Sequence, residues 1–240
     1  MTTQISAFEL NFFLALTIIL ISVKLLLSIY LGKRIYYSKK ETGQFSLNFI
    51  TAFFVLIVSL LISRLFYLYF DFFLTKLDHT TYHLMPNVLI WKIGGVISAS
   101  GFAFVLYVLD KKALKFKLKG IFVYIIIIGE IIVLAYPVKT AEDFTFVSEL
   151  GIITGVGAFL VLFIFLYIGI KIPGLRKPSF LMLSGLVIYA IGGILVNEFV
   201  VSLFVAIYGY DIRFLLYLLF IILKIIGLII IAFSVTKFSI

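Results

Sequence analysis

The sequence predicts an all-α integral membrane protein, folded as a bundle of seven transmembrane helices. Hydrophobic residues make up 64% of its 240 residues and charged residues only 13%, which is more apolar surface than a soluble domain of this length can bury. The apolar residues are concentrated in seven runs, most of them close to the ~20 residues that a helix needs to cross a bilayer. Basic residues gather in alternate loops between these runs, as they do in multi-pass membrane proteins.

The runs follow one another without an intervening polar domain, so we expect residues 1–240 to form a single transmembrane domain. The fourth run is short for a span, and the sixth is long enough to tilt. We predict the spans at residues 11–31, 47–70, 88–109, 121–136, 150–170, 180–206 and 214–233.

The orientation follows from the distribution of lysine and arginine. The first, third and fifth loops and the C-terminal segment together carry thirteen of these residues, whereas the other loops carry three. Loops rich in basic residues stay in the cytoplasm. We therefore predict a plasma-membrane protein with its N-terminus outside and its C-terminus cytoplasmic.

The net charge of +9 has the sign that is typical of nucleic-acid-binding proteins. The basic residues lie in short loops between spans, however, which predicts contact with a lipid bilayer and no nucleic-acid binding. The third loop is the most basic. We expect it to contact either anionic lipid or a cytoplasmic protein partner through its five lysines: Lys111, Lys112, Lys115, Lys117 and Lys119.

Two patterns bear on helix packing. The third and seventh spans share the pattern Lys-Ile-x-Gly-x-Ile, beginning at Lys92 and Lys224, which allows a parallel 3+1+3 repeat. Gly151 and Gly155 have the GxxxG spacing that lets helices approach closely. We interpret the glycines as packing sites within the bundle, with a homo-oligomer face as the alternative.

Charged residues inside the predicted spans form the candidate functional site. An unpaired charge near the bilayer centre costs roughly 2.5–3.5 kcal/mol on insertion scales, so such groups face the bundle interior and pair. Lys24 lies close enough to the cytoplasmic side to snorkel. The others form a predicted cluster in the outer half and centre of the bundle: Arg64, Asp71, Lys92, Glu130, Glu198 and Lys224, with the polar residues Tyr67, Asn197 and Tyr217.

Two interpretations of this cluster stay open. It forms either an ion-pair network that fixes the helix arrangement or a ligand cavity open to the outside. Among the groups placed deepest, three cations face the two carboxylates Glu130 and Glu198, and an excess of positive charge would suit an anionic ligand. Lys92 has a further interpretation as an interfacial anchor, because it follows Trp91.

A lysine in the middle of the seventh span resembles the plan of the microbial rhodopsins, which would imply retinal bound to Lys224. The residues around it do not match that family. Phe220 stands where the family has an aspartate, and Trp91 is the single tryptophan. We therefore expect no cofactor, and a photoreceptor with retinal on Lys224 stays as a remote alternative.

Enzymatic chemistry has little support in the sequence. There is no cysteine, and the two histidines, His79 and His83, lie together in a polar loop, where solvated side chains are more common than metal ligands. We predict no metal site and no catalytic residue. The best remaining interpretation is a sensor or receptor-like module, or a subunit of that kind, with a small-solute or ion transporter as the alternative.

Overall fold

The computed structural model describes residues 6–42, 48–196, 198–209 and 212–238, without the side chains of residues 42, 152–158, 198, 199 and 202. All the regular structure in these residues is helical, which confirms the all-α prediction. The α-helices are α1 (Ala7–Thr42), α2 (Phe49–Leu68), α3 (Asn87–Lys112), α4 (Ile121–Ala135), α5 (Ala141–Lys171), α6 (Arg176–Leu195), α7 (Glu198–Tyr208) and α8 (Ile212–Val235).

Five helical segments in the described part of the chain are long and apolar enough to cross a membrane: Ala7–Glu41, Phe49–Leu74, Asn87–Lys112, Pro173–Leu195 and Ile212–Val235. Two shorter apolar helices, Ile121–Ala135 and Phe159–Lys171, overlap the predicted fourth and fifth spans. The chain is therefore a multi-pass helical protein of the membrane type. That all seven helices cross the membrane, and in which orientation, stays a prediction.

The sixth predicted span, 180–206, is not one continuous helix. α6 ends at Leu195, and α7 begins at Glu198. Gly192 and Gly193 lower the helix propensity of the last turn of α6, and an acidic residue is favourable at the start of the helix that follows. An apolar run therefore predicted the helical content here but not the interruption.

Helix α5 begins nine residues before the predicted fifth span, because a polar turn caps it. The side-chain carboxylate of Asp143 accepts hydrogen bonds from the backbone amides of Lys139 and Thr140, each at 2.9 Å. The amide of Asp143 in turn donates to Oγ1 of Thr140 at 3.1 Å. This reciprocal capping box satisfies amides that would otherwise have no partner at the helix start.

The chain forms two compact units. In the described residues, the first comprises Lys24–Ile164 and the second comprises residues 6–23 and 165–238. The first unit is built on α2, α3 and α4, with Phe53, Ile57 and Val105 fully buried between them. Gly101 of α3 lets this helix approach Ser59 of α2, whose Cβ lies 2.8 Å from where a Cβ on Gly101 would stand.

The second unit is built on the close packing of α6 against α8. A Cβ on Gly227 would lie 2.8 Å from the carbonyl oxygen of Gly185 and 2.8 Å from the amide nitrogen of Tyr189. A Cβ on Gly192 would lie 3.2 Å from the carbonyl oxygen of Phe220. These glycines bring the two backbones into direct contact.

Candidate functional site

The predicted site residues are distributed over both units. Arg64, Tyr67, Asp71, Lys92 and Glu130 belong to the first unit, and Tyr217 and Lys224 belong to the second. Asn197 lies outside the described residues, and Glu198 begins α7 with a side chain that is likewise not described. The predicted cluster is thus divided between the two units.

Arg64 and Asp71 form an ion pair in the first unit. Nη1 of Arg64 lies 3.5 Å from Oδ2 of Asp71, and the two side chains are 12% and 20% exposed. The helix changes character between them, because α2 continues after Leu68 as a π-helical segment, Tyr69–Leu74. Such segments are rare and often occur at functional sites.

Tyr67 lies between the two charged residues in sequence and packs on a glycine pair of α3. A Cβ on Gly94 would be 3.3 Å from the Tyr67 ring. A Cβ on Gly95 would be 3.6 Å from the Tyr67 hydroxyl and 4.0 Å from Oε2 of Glu130, which comes from α4. The hydroxyl and the carboxylate therefore approach the same bare surface of α3.

These contacts define the Tyr67 cluster, which consists of Arg64, Tyr67, Asp71 and Glu130. The charges of Asp71, Glu130 and Arg64 all act on the Tyr67 hydroxyl. Each of the four side chains is neither fully buried nor fully exposed. The spacing of Arg64, Tyr67 and Asp71 along one helix brings them towards the same face, whereas Tyr67 and Glu130 approach each other over the glycines of α3.

Lys92 is buried, and it stabilises the end of α4. Its ammonium group donates hydrogen bonds to the carbonyl oxygens of Tyr136 at 2.7 Å and Leu134 at 3.3 Å. The last carbonyls of a helix lack intrahelical donors and carry its negative dipole end. The ammonium therefore serves as a C-terminal cap, a role that neither sequence interpretation of Lys92 included.

The charge balance of the site differs from the sequence expectation. That expectation counted Lys92 and Lys224 with Arg64 and found an excess of positive charge. In the first unit, the Tyr67 cluster holds one guanidinium, Arg64, and two carboxyl groups, Asp71 and Glu130. The ammonium of Lys92 lies at the carbonyl oxygen of Leu134, one helical turn beyond Glu130, so the carboxyl groups exceed the cations without Lys92 and equal them with it. Neither count gives the excess of positive charge on which the expectation of an anionic ligand rests.

Lys224 contacts aromatic rings in the second unit. Its Nζ atom lies 3.5 Å from the centre of the Tyr189 ring and 6.0 Å from the centre of the Phe220 ring. A Cβ on Gly193 would stand 3.0 Å from the same Nζ, so the small residue makes room for the amine. A cation–π contact thus contributes to the stabilisation of the charge.

The hydroxyl of Tyr217 connects two helices of the second unit. It shares a 2.7 Å hydrogen bond with Oγ1 of the fully buried Thr17 in α1. The Tyr217 ring also lies 4.4 Å from that of Phe13. Tyr217 therefore stabilises the packing of α1 on α8.

Two further buried charges were not predicted to be structural. Lys24 does not snorkel: it is 4% exposed, and its Nζ donates to the carbonyl oxygen of Leu60 at 2.9 Å. Asp110, at the end of α3, is 3% exposed and accepts hydrogen bonds from the amides of Leu118 and Gly120. Both residues bind backbone groups, which sequence patterns of charged side chains do not reveal.

The histidine loop contains a helical turn, His79–Thr81, capped by Asp78. The carboxylate of Asp78 accepts hydrogen bonds from both the amide and the hydroxyl of Thr80, which lower its pKa. The ring of His79 packs on Tyr82, with centroids 4.7 Å apart. In the described parts of the chain, no three His, Asp or Glu side chains are grouped as metal ligands would be.

No family model, curated protein or solved structure matches the chain.

Proposed function

We propose that the protein is a multi-pass membrane sensor or receptor-like module whose ligand site is the Tyr67 cluster. The observation that carries this proposal is the grouping of Arg64, Asp71, Tyr67 and Glu130, from two helices, beside the bare surface of Gly94 and Gly95. Partly exposed charges within an apolar helix are expensive and therefore mark functional sites by default. The π-helical segment that carries Asp71 supports the same interpretation.

The proposed ligand is a small organic cation. The cluster has two carboxyl groups for one guanidinium, and the ring of Tyr67 offers the kind of aromatic face to which ammonium groups bind. Lys92 is proposed to stabilise the helices of the unit that holds the site, and Tyr217 and Lys224 are proposed to stabilise the second unit. The prediction that Asn197 and Glu198 bind a ligand stays a prediction from the sequence.

A thermal-shift screen of the purified full-length protein tests this proposal. The probes are tetramethylammonium, choline and ethylammonium, with acetate as the anionic counterpart. We expect at least one cation to raise the melting temperature of the wild type and to lose that effect in Glu130→Gln and Asp71→Asn. Glu149→Gln is the matched control, because Glu149 is an exposed carboxylate of α5. Stabilisation by none of the cations, or equal loss in the control, would contradict the proposal.

A small-solute or ion carrier is the second candidate, and one observation favours it. The apolar run that resembles a sixth span is divided between α6 and α7, and carriers commonly bind their substrates at interrupted helices. Uptake of the stabilising cation into proteoliposomes separates the two functions. Uptake that Glu130→Gln abolishes supports the carrier, whereas binding without uptake supports the sensor.

The location and assembly of the protein also belong to the proposal. The distribution of basic residues supports a plasma-membrane protein with an outside N-terminus and a cytoplasmic C-terminus. As the alternative to packing within the bundle, the GxxxG face of α5 is proposed as a homo-oligomer interface. There, a Cβ on Gly151 would meet no atom within 4 Å.

A further inference from the structure

The five lysines of the third predicted loop are all exposed, and they surround an exposed aromatic side chain. This surface, residues 111–120, is called the lysine loop below. Phe116 is 46% exposed, and both residues next to it in sequence, Lys115 and Lys117, are charged. Behind it, the Tyr107 ring lies 6.4 Å from the Phe116 ring and 5.7 Å from Nζ of Lys111.

Asp110 stabilises the conformation of the lysine loop through hydrogen bonds to its backbone. Its buried carboxylate accepts hydrogen bonds from the amide of Leu118 at 3.0 Å and from the amide of Gly120 at 2.8 Å. Its carbonyl oxygen accepts a third bond, from the amide of Phe116 at 2.8 Å. One residue at the end of α3 thus holds three points of the loop in place.

The loop backbone is held in a conformation that most residues avoid. Lys115, Phe116 and Lys119 have φ angles of 53°, 60° and 49°, in the left-handed region that favours glycine. Such conformations persist only where the surrounding structure imposes them, and they concentrate at ligand sites. Because Asp110 holds the loop in this form, its lysines and Phe116 are arranged before any partner arrives.

The position of the loop indicates the chemistry of the partner. The exposed apolar surface of α4 begins directly after it, with Ile121 54%, Tyr124 62% and Ile128 57% exposed. In a bilayer, side chains of this kind contact acyl chains, and lysines at the end of such a helix lie at the level of the headgroups. An acidic soluble protein would match the lysines but not the adjoining apolar surface.

We propose that the lysine loop is a preformed docking surface for the headgroups of anionic phospholipids, organised by Asp110. The lysines bind the phosphates, and Phe116 inserts at the boundary between headgroups and acyl chains. About 24 Å of α3 lies between this loop and the glycine pair of the Tyr67 cluster, at 1.5 Å per residue. The two sites can therefore be tested separately.

Native mass spectrometry of the full-length protein in a non-ionic detergent tests the docking surface. Dioctanoyl phosphatidylglycerol and dioctanoyl phosphatidylcholine serve as the anionic and zwitterionic probes. We expect tighter binding of phosphatidylglycerol. A lysine near an anionic surface strengthens binding about fivefold. We therefore expect the triple variant Lys115→Gln/Lys117→Gln/Lys119→Gln to bind phosphatidylglycerol more weakly by a factor of about ten or more. Equal binding of the two lipids would overturn the proposal.

A second triple variant tests whether the effect belongs to the loop. Lys33, Lys39 and Lys40 are exposed lysines of α1 on the same predicted side of the membrane, and their replacement by Gln removes the same charge. We expect phosphatidylglycerol binding to change little in this variant. If it falls as far as in the loop variant, net charge alone explains the binding and the proposal is wrong.

Asp110→Asn tests the organising role of Asp110. The variant keeps all five lysines and makes the protein more positive, so charge alone predicts stronger binding. We expect weaker binding, because an asparagine amide nitrogen cannot accept the second backbone hydrogen bond and the loop loses its arrangement. Unchanged or stronger binding would overturn this role; if the variant does not fold, the two lysine variants still decide the proposal.

A poly-glutamate peptide separates lipid from an acidic protein partner. We expect it not to displace phosphatidylglycerol from the wild type. The peptide could instead bind to the wild type and fail to bind to the loop variant, while lipid binding is the same in both. This result would identify a protein-docking surface and contradict the lipid proposal.

Discussion

At the scale of single residues, three cations inside the predicted spans contact backbone carbonyls or aromatic rings. Lys24 and Lys92 donate to backbone carbonyls, and Lys224 lies over the ring of Tyr189. A buried charge needs hydrogen bonds or a counter-charge of some kind, and a helix backbone or an aromatic face can supply part of it. Arg64 forms an ion pair with Asp71.

The contact between Lys224 and Tyr189 predicts a measurable coupling. We expect Tyr189→Leu to destabilise the protein, whereas Tyr189→Phe, which keeps the ring, retains most of the contact. A double-mutant cycle with Lys224→Met should give a coupling free energy of about 1–2 kcal/mol, the range of a desolvated cation–π contact. The measurement is thermal unfolding in detergent. A coupling of zero would show that the ring does not stabilise the ammonium.

The difference between predictable and unpredictable site residues is also clearest at this scale. The pairing of Arg64 with Asp71 follows from their separation by seven residues on one helix, which sequence alone reveals. The cap that Lys92 forms depends on the carbonyl oxygen of Tyr136, which is 44 residues away. Every residue has a carbonyl, so the sequence gives no signal that distinguishes this acceptor. The same applies to the amides that Asp110 binds.

At the scale of helices, the length of an apolar run predicts where a helix lies better than it predicts whether that helix is continuous. The last run predicts residues 214–233, and α8 spans Ile212–Val235, because an uninterrupted apolar run of this length favours one helix. The break between α6 and α7 and the early start of α5 depend on local backbone and capping interactions. These add no hydrophobicity, so a count of apolar residues does not detect them.

The contact of α6 with α8 predicts strong sensitivity at Gly227. Gly227→Ala would force its Cβ against backbone atoms 2.8 Å away, and overpacking of this kind typically costs about 1–3 kcal/mol. Gly174→Ala is the control, because a Cβ there would meet no atom within 4 Å. We expect the melting temperature in detergent to fall for Gly227→Ala alone. Equal effects of the two substitutions would contradict the close packing.

The start of α5 predicts a dependence on pH. Backbone hydrogen bonds from Lys139 and Thr140 lower the pKa of the Asp143 carboxyl below its ordinary value of 3.8. A lowered folded pKa means that the cap stabilises the helix above pH 3.8 and is lost as the pH falls through the lower, folded value. Hydrogen exchange at the first amides of α5 should accelerate in that range relative to the rest of the helix. Asp143→Asn should remove this dependence.

At the scale of the whole molecule, the number of membrane crossings depends on α4 and α5. Helix α4 has 15 residues, which extend about 22 Å, less than the ~30 Å of a typical hydrocarbon core. The seven-span arrangement requires it to cross nonetheless. If it does, the lysine loop and the capping box of α5 lie on opposite sides of the membrane.

Single cysteines determine whether α4 crosses, because the natural chain contains none. Lys117→Cys and Lys139→Cys lie before and after α4, and both native side chains are exposed. We expect a membrane-impermeant maleimide to label the cysteine at 139 in intact cells. It should label the cysteine at 117 only after the cells are permeabilised. Labelling of both from one side would show that α4 does not span and would remove the seven-span arrangement.

The most direct test of the central claim is whether a bound cation perturbs the carboxyl groups of the Tyr67 cluster. Infrared difference spectra of the reconstituted protein, recorded with and without the stabilising cation, report changes in carboxyl vibrations. We predict a cation-induced band that disappears in Glu130→Gln and persists in Glu149→Gln. A wild-type spectrum without such a band, or a band that Glu130→Gln and Asp71→Asn both leave intact, would contradict the assignment of a cation site to this cluster.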